Sequence, residues 1–501
     1  MSPIDGLAYG FSVALTLQNL LAALLGAVIG TAVGVLPGIG PMGAMALLLP
    51  VTLGVPPATA LIILTGIYFG AQYGGSTTSI LINVPGEATS VVTCIEGYQM
   101  AKKGRAGAAL AVAAVGSFVA GTLGVVGLML FAPPLARLAL SFGPPEYAAL
   151  ALLGLVALSR VSGGSLWKGL LVLSLGLVLS GVGMDPITGQ RRFNFGLIEL
   201  AQGIEIVPVA MGLFGVTEVL MVAEQAGGLP RLEAVRFREL FPTLAEWQRS
   251  LPAMLRGAGV GFLLGLVPGP GGIISTFASY RIERRLAKRL EEFGHGAIEG
   301  VAGPESANNA ATASQMVPLL SLGLPFAPAM ALFLAALTMQ GVQPGPLLIQ
   351  ERPEIFWGVI ASMYVGNAAL LVLNLPLVGM WASLLRIPQP LLLAGVLLFM
   401  FVGTYSVNNS MLDLVALVII GVVGYVLRKL DFQLAPMILA VILGPVLEKA
   451  LRQSLLLSRG DPFVFFQRPI SGLFMVSLLV VLLAPASWRL LLRRRRGNAD
   501  L

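Results

Sequence analysis

Apolar residues fill this chain in long runs separated by short polar breaks. From Gly6 through Gly86 no Asp, Glu, Lys, Arg or His interrupts the run. A membrane-spanning helix needs roughly 20 mainly apolar residues, so this stretch alone is long enough to cross a bilayer more than once. Counting such runs along the whole chain predicts about 11 or 12 crossings, and hence an all-α polytopic membrane fold. The runs fall into two blocks, 1–223 and 257–501, around one polar interruption at 224–256. That interruption mixes Arg231, Arg236, Arg238 and Arg249 with Glu233, Glu239 and Glu246, and sets Trp247 among apolar residues at helical spacing. It reads as a solvated or interfacial linker helix, with a partner-docking segment as the other reading.

The two blocks share a motif. Gly30, Gly34, Pro37, Gly38 and Gly40 repeat the spacing of Gly261, Gly265, Pro268, Gly269 and Gly271, so that each block carries GxxxGxxPGxG inside an apolar run. Small residues one turn apart let helices approach closely. The Pro-Gly pair then removes a backbone donor and invites the chain to leave the helix. Pro37, Gly38, Gly40, Pro268, Gly269 and Gly271 are therefore expected to act as structural hinges.

Beyond each kink lies a second unusual segment, GGSTTSILINVPGEATS at 74–90 and GPESANNAATASQMVPLLSLGLP at 303–325. Both are rich in small hydroxyl or amide residues, and both reach a Val-Pro or Leu-Pro step before the chain turns apolar again. Lipid cannot satisfy irregular backbone, so such segments belong where protein or a water-filled cavity surrounds them. Re-entrant hairpins or broken helices are expected here, with extramembrane loops as the alternative. The basic loops hint at how the halves are related. In the first block Lys102, Lys103 and Arg105 follow the hydroxyl-rich segment. In the second, Arg281, Arg284, Arg285, Lys288 and Arg289 follow the kink instead. Basicity has swapped between corresponding loops, which favours inverted repeats with both basic loops cytoplasmic.

Composition sharpens the class. Of 501 residues, 56% are apolar and only 11% charged, against about 25% charged in a soluble domain. The net charge of +7 owes much to Arg493–Arg496 after the last apolar run, which predicts a cytoplasmic C-terminus rather than nucleic-acid binding. The N-terminal stretch has no basic n-region, so its apolar segment is expected to stay in the mature protein. One cysteine, Cys94, excludes an internal disulfide, and one histidine, His295, leaves little for a transition metal. No GxxxxGK[ST] loop occurs, and His295 is poorly placed as a base for Ser76, so neither an ATPase of that kind nor a hydrolase is expected.

Interrupted hydrophobic segments in matching positions of two halves point to a secondary-transporter site. Candidate substrate donors are Gly75, Ser76, Thr77, Thr78, Ser79 and Asn83 in one half, and Asn308, Asn309, Thr312 and Ser314 in the other. No Lys or Arg occurs from Gly6 to Ala101 or from Leu290 to Glu351. An anionic substrate would therefore be held by neutral donors, helix dipoles and an accompanying cation. Glu87 and Glu305 are candidates for the coupling ion, since carboxylates inside a membrane are costly and usually functional. They could equally sit at a wet hairpin mouth.

GGSTTSILINVPGEATS with the following EGYQMAKKGRAGAAL (96–110), and AIEGVAGPESANNAATAS (297–314), resemble the large permease subunit of the tripartite tricarboxylate transporter family. The resemblance extends over nearly the whole chain and both PGxG kinks. It departs at Phe326-Ala327, where the family has Gly-Ser, and at Gln99, where it has Pro. The resemblance implies a multi-pass carrier of the bacterial inner membrane, driven by a cation gradient with sodium as the expected ion and no other cofactor. It also implies two partners, a small membrane subunit and a periplasmic solute-binding protein that delivers a di- or tricarboxylate such as citrate. The rival readings are a cation-coupled organic-anion carrier without a binding protein, and a channel or scaffold subunit.

Overall fold

The computed structural model describes residues 2–36, 40–161, 165–185, 187–224, 241–384 and 387–482. These residues are overwhelmingly helical, and their only paired strands are the short ribbon of Gly183–Met184 with Arg191–Arg192. Among them six helices are long and apolar enough to cross a membrane: Leu17–Val35, Ala106–Ala139, Ile206–Glu224, Pro353–Asn374, Pro390–Asn408 and Met411–Lys429. Five shorter apolar helices accompany them. The chain divides into two compact units, Met1–Ala139 with Glu205–Val426, and Leu140–Ile204 with Leu427–Leu501. The first unit thus draws on both sequence blocks.

Eight helices of the first unit frame its polar interior: α1 (Leu17–Val35), α2 (Pro57–Ile82), α3 (Val91–Lys102), α4 (Ala106–Ala139), α5 (Leu244–Gly265), α6 (Gly271–Leu286), α7 (Glu299–Ser314) and α8 (Pro353–Asn374). The glycine stripes decide how they pair. Gly26, Gly30 and Gly34 of α1 face the backbone of α2, and a methyl group on Gly30 would lie 2.7 Å from Ile67 Cα. Gly257, Gly261 and Gly265 of α5 face α7 in the same way, with a methyl group on Gly261 only 2.7 Å from Ala307 Cα. Two pairs of helices therefore touch backbone to backbone through stripes that occupy corresponding positions in the repeated motif.

The kinks follow those pairs. Pro37 and Gly38 lie outside the described residues, but Gly40 has φ +63° and opens the helix Gly40–Leu48. In the second motif Gly269 has φ +128°, and its N–H donates to Phe326 O at 2.9 Å. Gly271 then starts α6 hard against the end of α5, where a Cβ would meet Leu264 O at 2.5 Å. Only glycine suits this turn. Of the 224–256 interruption, 225–240 lie outside the described residues. Its remainder from Leu244 onward forms the first turns of α5, closed by a capping box in which Thr243 and Glu246 bond each other's backbone.

The two basic loops adjoin each other. Arg105 pairs with Glu246 at 2.6 Å, Lys103 Nζ donates to His295 O at 2.6 Å, and Arg249 bridges Glu292 and Glu299. Glu96, wholly buried on α3, fastens this contact. Its carboxylate accepts from Tyr280 Oη (2.6 Å) and from the backbone N–H groups of Gly294 (2.6 Å), Gly296 (2.7 Å) and Ala297 (2.9 Å). Glu96→Ala should leave these donors without an acceptor, at about 1–3 kcal/mol for each that stays dry. A clear drop in the thermal unfolding midpoint of the purified protein is expected, and an unchanged midpoint would refute this anchoring role.

The second unit packs Pro144–Val161 and Leu166–Ser180 against Ala435–Leu457. Gly176 gives the close approach, since a Cβ there would sit 2.7 Å from Ala440 Cβ. An ion-pair network joins Arg452 to Asp185 (2.9 Å) and Glu448 (3.0 Å), and Arg192 to Glu448 (2.8 Å). The hydrogen bond from Arg452, with backbone donors at Ile187 and Thr188, holds the Asp185 carboxyl well below the usual carboxylate range.

Candidate substrate and cation site

The hydroxyl-rich residues of the first half stand on a continuous helix. α2 runs unbroken through GGSTTSILI and ends at Asn83, which takes a left-handed conformation (φ 58°) two residues before Pro85. α7 continues through Met316–Leu322 and stops in the same manner, at Gly323 (φ 73°) two residues before Pro325. Proline after a left-handed terminal residue is a strong helix stop. The breaks therefore fall just past the polar clusters, and the clusters themselves project sideways from intact turns.

Past Asn83 the chain folds back over α2. Gly86 rests on Gly34 O and Gly75 Cα, and a Cβ on Gly75 would lie 2.8 Å from Glu87 Cγ. Gly75 thus serves by lacking a side chain, which lets Glu87 pass. Glu87 caps the short turn Ala88–Ser90 that leads into α3, in a reciprocal box with Ser90. Ser79 completes the clamp by donating to Ser90 Oγ at 2.9 Å, while Thr78 bonds back to Gly75 O at 3.0 Å.

Here the halves exchange contacts. Glu305 on α7 is 1% exposed and accepts from Ser76 Oγ on α2 at 2.6 Å, and from the Thr93 hydroxyl on α3. Glu87 is 9% exposed and accepts from Asn308 Nδ2 on α7 at 2.9 Å, and from Thr89 Oγ1. Each half thus supplies one buried carboxylate and the polar side chain that binds the other's. Gln72, one turn before Ser76, joins them: its Oε1 accepts from Asn308 Nδ2 (3.1 Å) and Thr89 Oγ1 (3.2 Å). Tyr68 Oη donates to Gln315 Oε1 at 2.8 Å one turn further along. Neither glutamate has a Lys or Arg partner among the described residues, in keeping with the cation-free stretches of sequence around them.

The remaining candidates, Asn83 apart, bond outside this cluster or line a neighbouring cavity. Asn309 Nδ2 donates to Ser117 Oγ on α4 at 2.7 Å, and Thr312 and Ser314 bond back to their own helix. Thr77 lines a small cavity with Tyr73, Ser76, Ser117 and Asn374. Asn83 is not part of the cluster; it is exposed at the helix end. The amide oxygens of Asn308, Asn309 and Asn374 are buried without a partner. Each such group costs about 1–3 kcal/mol, so three in one region point to a ligand or a second arrangement. Gln72, Thr89, Thr93, Ser117 and Gln315 escaped the reading of the sequence. Helical phase was the available signal, since Gln72, Ser76 and Ser79 share one face.

Comparison with known proteins gives this polar centre a family. A protein from Agrobacterium vitis described as an uncharacterized 52.8 kDa protein in the TAR-I ttuC' 3' region is 48% identical over 485 residues, covering 97% of this chain and 96% of that one. A second protein from the same organism, described as uncharacterized and in the TAR-II ttuC' 3' region, is 48% identical over 227 residues, 44% of this chain and 94% of its own. No solved structure gives a significant match. The model of the tripartite tricarboxylate transporter TctA family matches residues 20–439, so this multi-pass membrane protein belongs to the TctA family, a membrane subunit of tripartite tricarboxylate transporters.

Proposed function

We propose that the protein is the permease of a binding-protein-dependent carrier, importing a di- or tricarboxylate across the bacterial inner membrane together with cations, sodium foremost. The supporting observation is the crosswise exchange at the centre, with Ser76 on Glu305 and Asn308 on Glu87. Two buried carboxylates with no basic partner among the described residues suit a device that takes up cations. An anionic substrate in the same neighbourhood then has its charge offset by those cations rather than by arginine or lysine. Ser76, Thr77, Asn308, Asn309 and Thr312 supply the neutral donors, and the kinks at Gly40 and Gly269–Gly271 let the flanking helices shift. The matching glycine stripes and helix stops favour two inverted repeats, with the adjoining basic loops on the cytoplasmic side. A small membrane subunit and a periplasmic solute-binding protein complete the carrier.

The test is uptake of radiolabelled carboxylate into proteoliposomes holding the whole complex, with loaded binding protein outside. Uptake should saturate and rise with an inward sodium gradient. Uptake that is unchanged when both the sodium and pH gradients are collapsed would instead support a channel or scaffold subunit.

A further inference from the structure

The amide of Asn308 uses its two ends unequally. Nδ2 donates to both Gln72 Oε1 (3.1 Å) and Glu87 Oε1 (2.9 Å), while the buried Oδ1 has no partner. Thr89 Oγ1 lies 3.2 Å from the same glutamine oxygen and 2.5 Å from the same carboxylate oxygen. Two acceptor oxygens, Gln72 Oε1 and Glu87 Oε1, therefore converge on one end of an amide whose other end is wasted, and the Thr89 hydroxyl bridges the same two oxygens. The two orientations of a carboxamide fill nearly the same space. Turning this one over would bring a fourth oxygen into the group and release Nδ2 from it.

We propose that Glu87, Gln72, Thr89 and Asn308 form a sodium site, occupied with the Asn308 amide turned so that Oδ1 joins the other three oxygens. The charge of the group fits a monovalent ion. It holds one carboxylate and otherwise neutral ligands, so a divalent ion would keep an uncompensated positive charge in a buried place. A proton on Glu87 would neutralise the carboxylate but leave the Asn308 amide as it stands, with its buried Oδ1 still unpaired. Thr89 Oγ1 stands within hydrogen-bond distance of both Gln72 Oε1 (3.2 Å) and Glu87 Oε1 (2.5 Å), so an entering ion would take the place of these hydrogen bonds. Side chains from both halves take part, so filling the site ties α2 to α7. The site also lies beside the second kink, since a Cβ on Gly272 at the start of α6 would lie 3.0 Å from Thr89 Cγ2.

This inference rests on the reading of the protein as a cation-coupled carrier and adds where one ion binds. Thermal unfolding of the purified full-length chain in lipid nanodiscs tests it, with sodium, potassium and choline chloride titrated at constant ionic strength. Sodium should raise the unfolding temperature saturably, whereas potassium and choline should not. Thr89→Val, which keeps the side chain's shape, should raise the sodium concentration needed for half the effect at least tenfold, and Gln72→Leu should do the same. Asn308→Leu should abolish the effect. If Thr89→Val and Gln72→Leu respond to sodium like the wild type, the site lies elsewhere and this inference fails, while sodium-driven uptake by the same variants keeps the carrier reading intact. No response of the wild type to sodium overturns the site outright, and the proteoliposome assay then decides separately whether uptake is coupled.

Discussion

Gly261→Leu should abolish uptake and strip the protein of a stable fold, whereas Gly259→Leu, two residues away on the same helix, should leave both intact. At Gly261 a Cβ would lie 2.7 Å from Ala307 Cα and 2.8 Å from Ala307 C, all of it backbone that cannot rotate aside. At Gly259 nothing stands within 4 Å. Overpacking a tight interface costs about 1–3 kcal/mol and sometimes more, and a leucine here adds three carbons beyond the clashing Cβ. The only relief is to push α7 away from α5. That motion carries Glu305 and Asn308 away from Ser76 and Gln72, so the damage reaches the polar centre. Membrane extracts separated by size-exclusion chromatography, with uptake measured in parallel, would show it. A monodisperse, active Gly261→Leu protein would mean that the α5–α7 contact is looser than these distances require.

Part of this contact is legible in the sequence. A stripe of small residues every fourth position announces close helix contact, because only that arrangement needs them, and Gly30, Gly34, Gly261 and Gly265 stand where the pattern puts them. The hydroxyl and amide clusters were visible for a similar reason, since Ser76 and Asn308 are expensive in an apolar run unless something binds them. The helical state of 74–82 was not visible. A dense group of Gly, Ser and Thr suggests irregular backbone, but tight packing against α1 stabilises the helix and overrides the weak local preference. Isolated members such as Thr93 and Gln315 carry no local signal, because their partners Glu305 and Tyr68 lie more than 200 positions away. Asn83 misled for the opposite reason. Its side chain looks like a donor, but the position is set by the left-handed turn that ends α2.

Glu305→Ala should reduce sodium-driven uptake by roughly 100-fold, equivalent to about 2.7 kcal/mol, and change how the remainder depends on voltage. Moving one charge against 100 mV costs about 2.3 kcal/mol, so a dianion entering a negative-inside vesicle needs two monovalent cations to avoid that work. Glu87 and Glu305 are two buried carboxylates with no Lys or Arg partner among the described residues, one for each cation on the proposed scheme. Removing Glu305 removes one of them. A dianion would then bring a net negative charge inward, the sodium dependence of the residual uptake should fall from a Hill coefficient near two towards one, and an inside-negative potential should inhibit it. Glu305→Gln separates charge from structure. It keeps one oxygen to accept from one of the Ser76 and Thr93 hydroxyls and an amide NH2 to donate to the other, but cannot balance a cation, so it should fold like the wild type and transport like the alanine variant. Wild-type uptake and wild-type sodium dependence in Glu305→Gln would show that Glu305 is only a hydrogen-bond acceptor joining α2, α3 and α7.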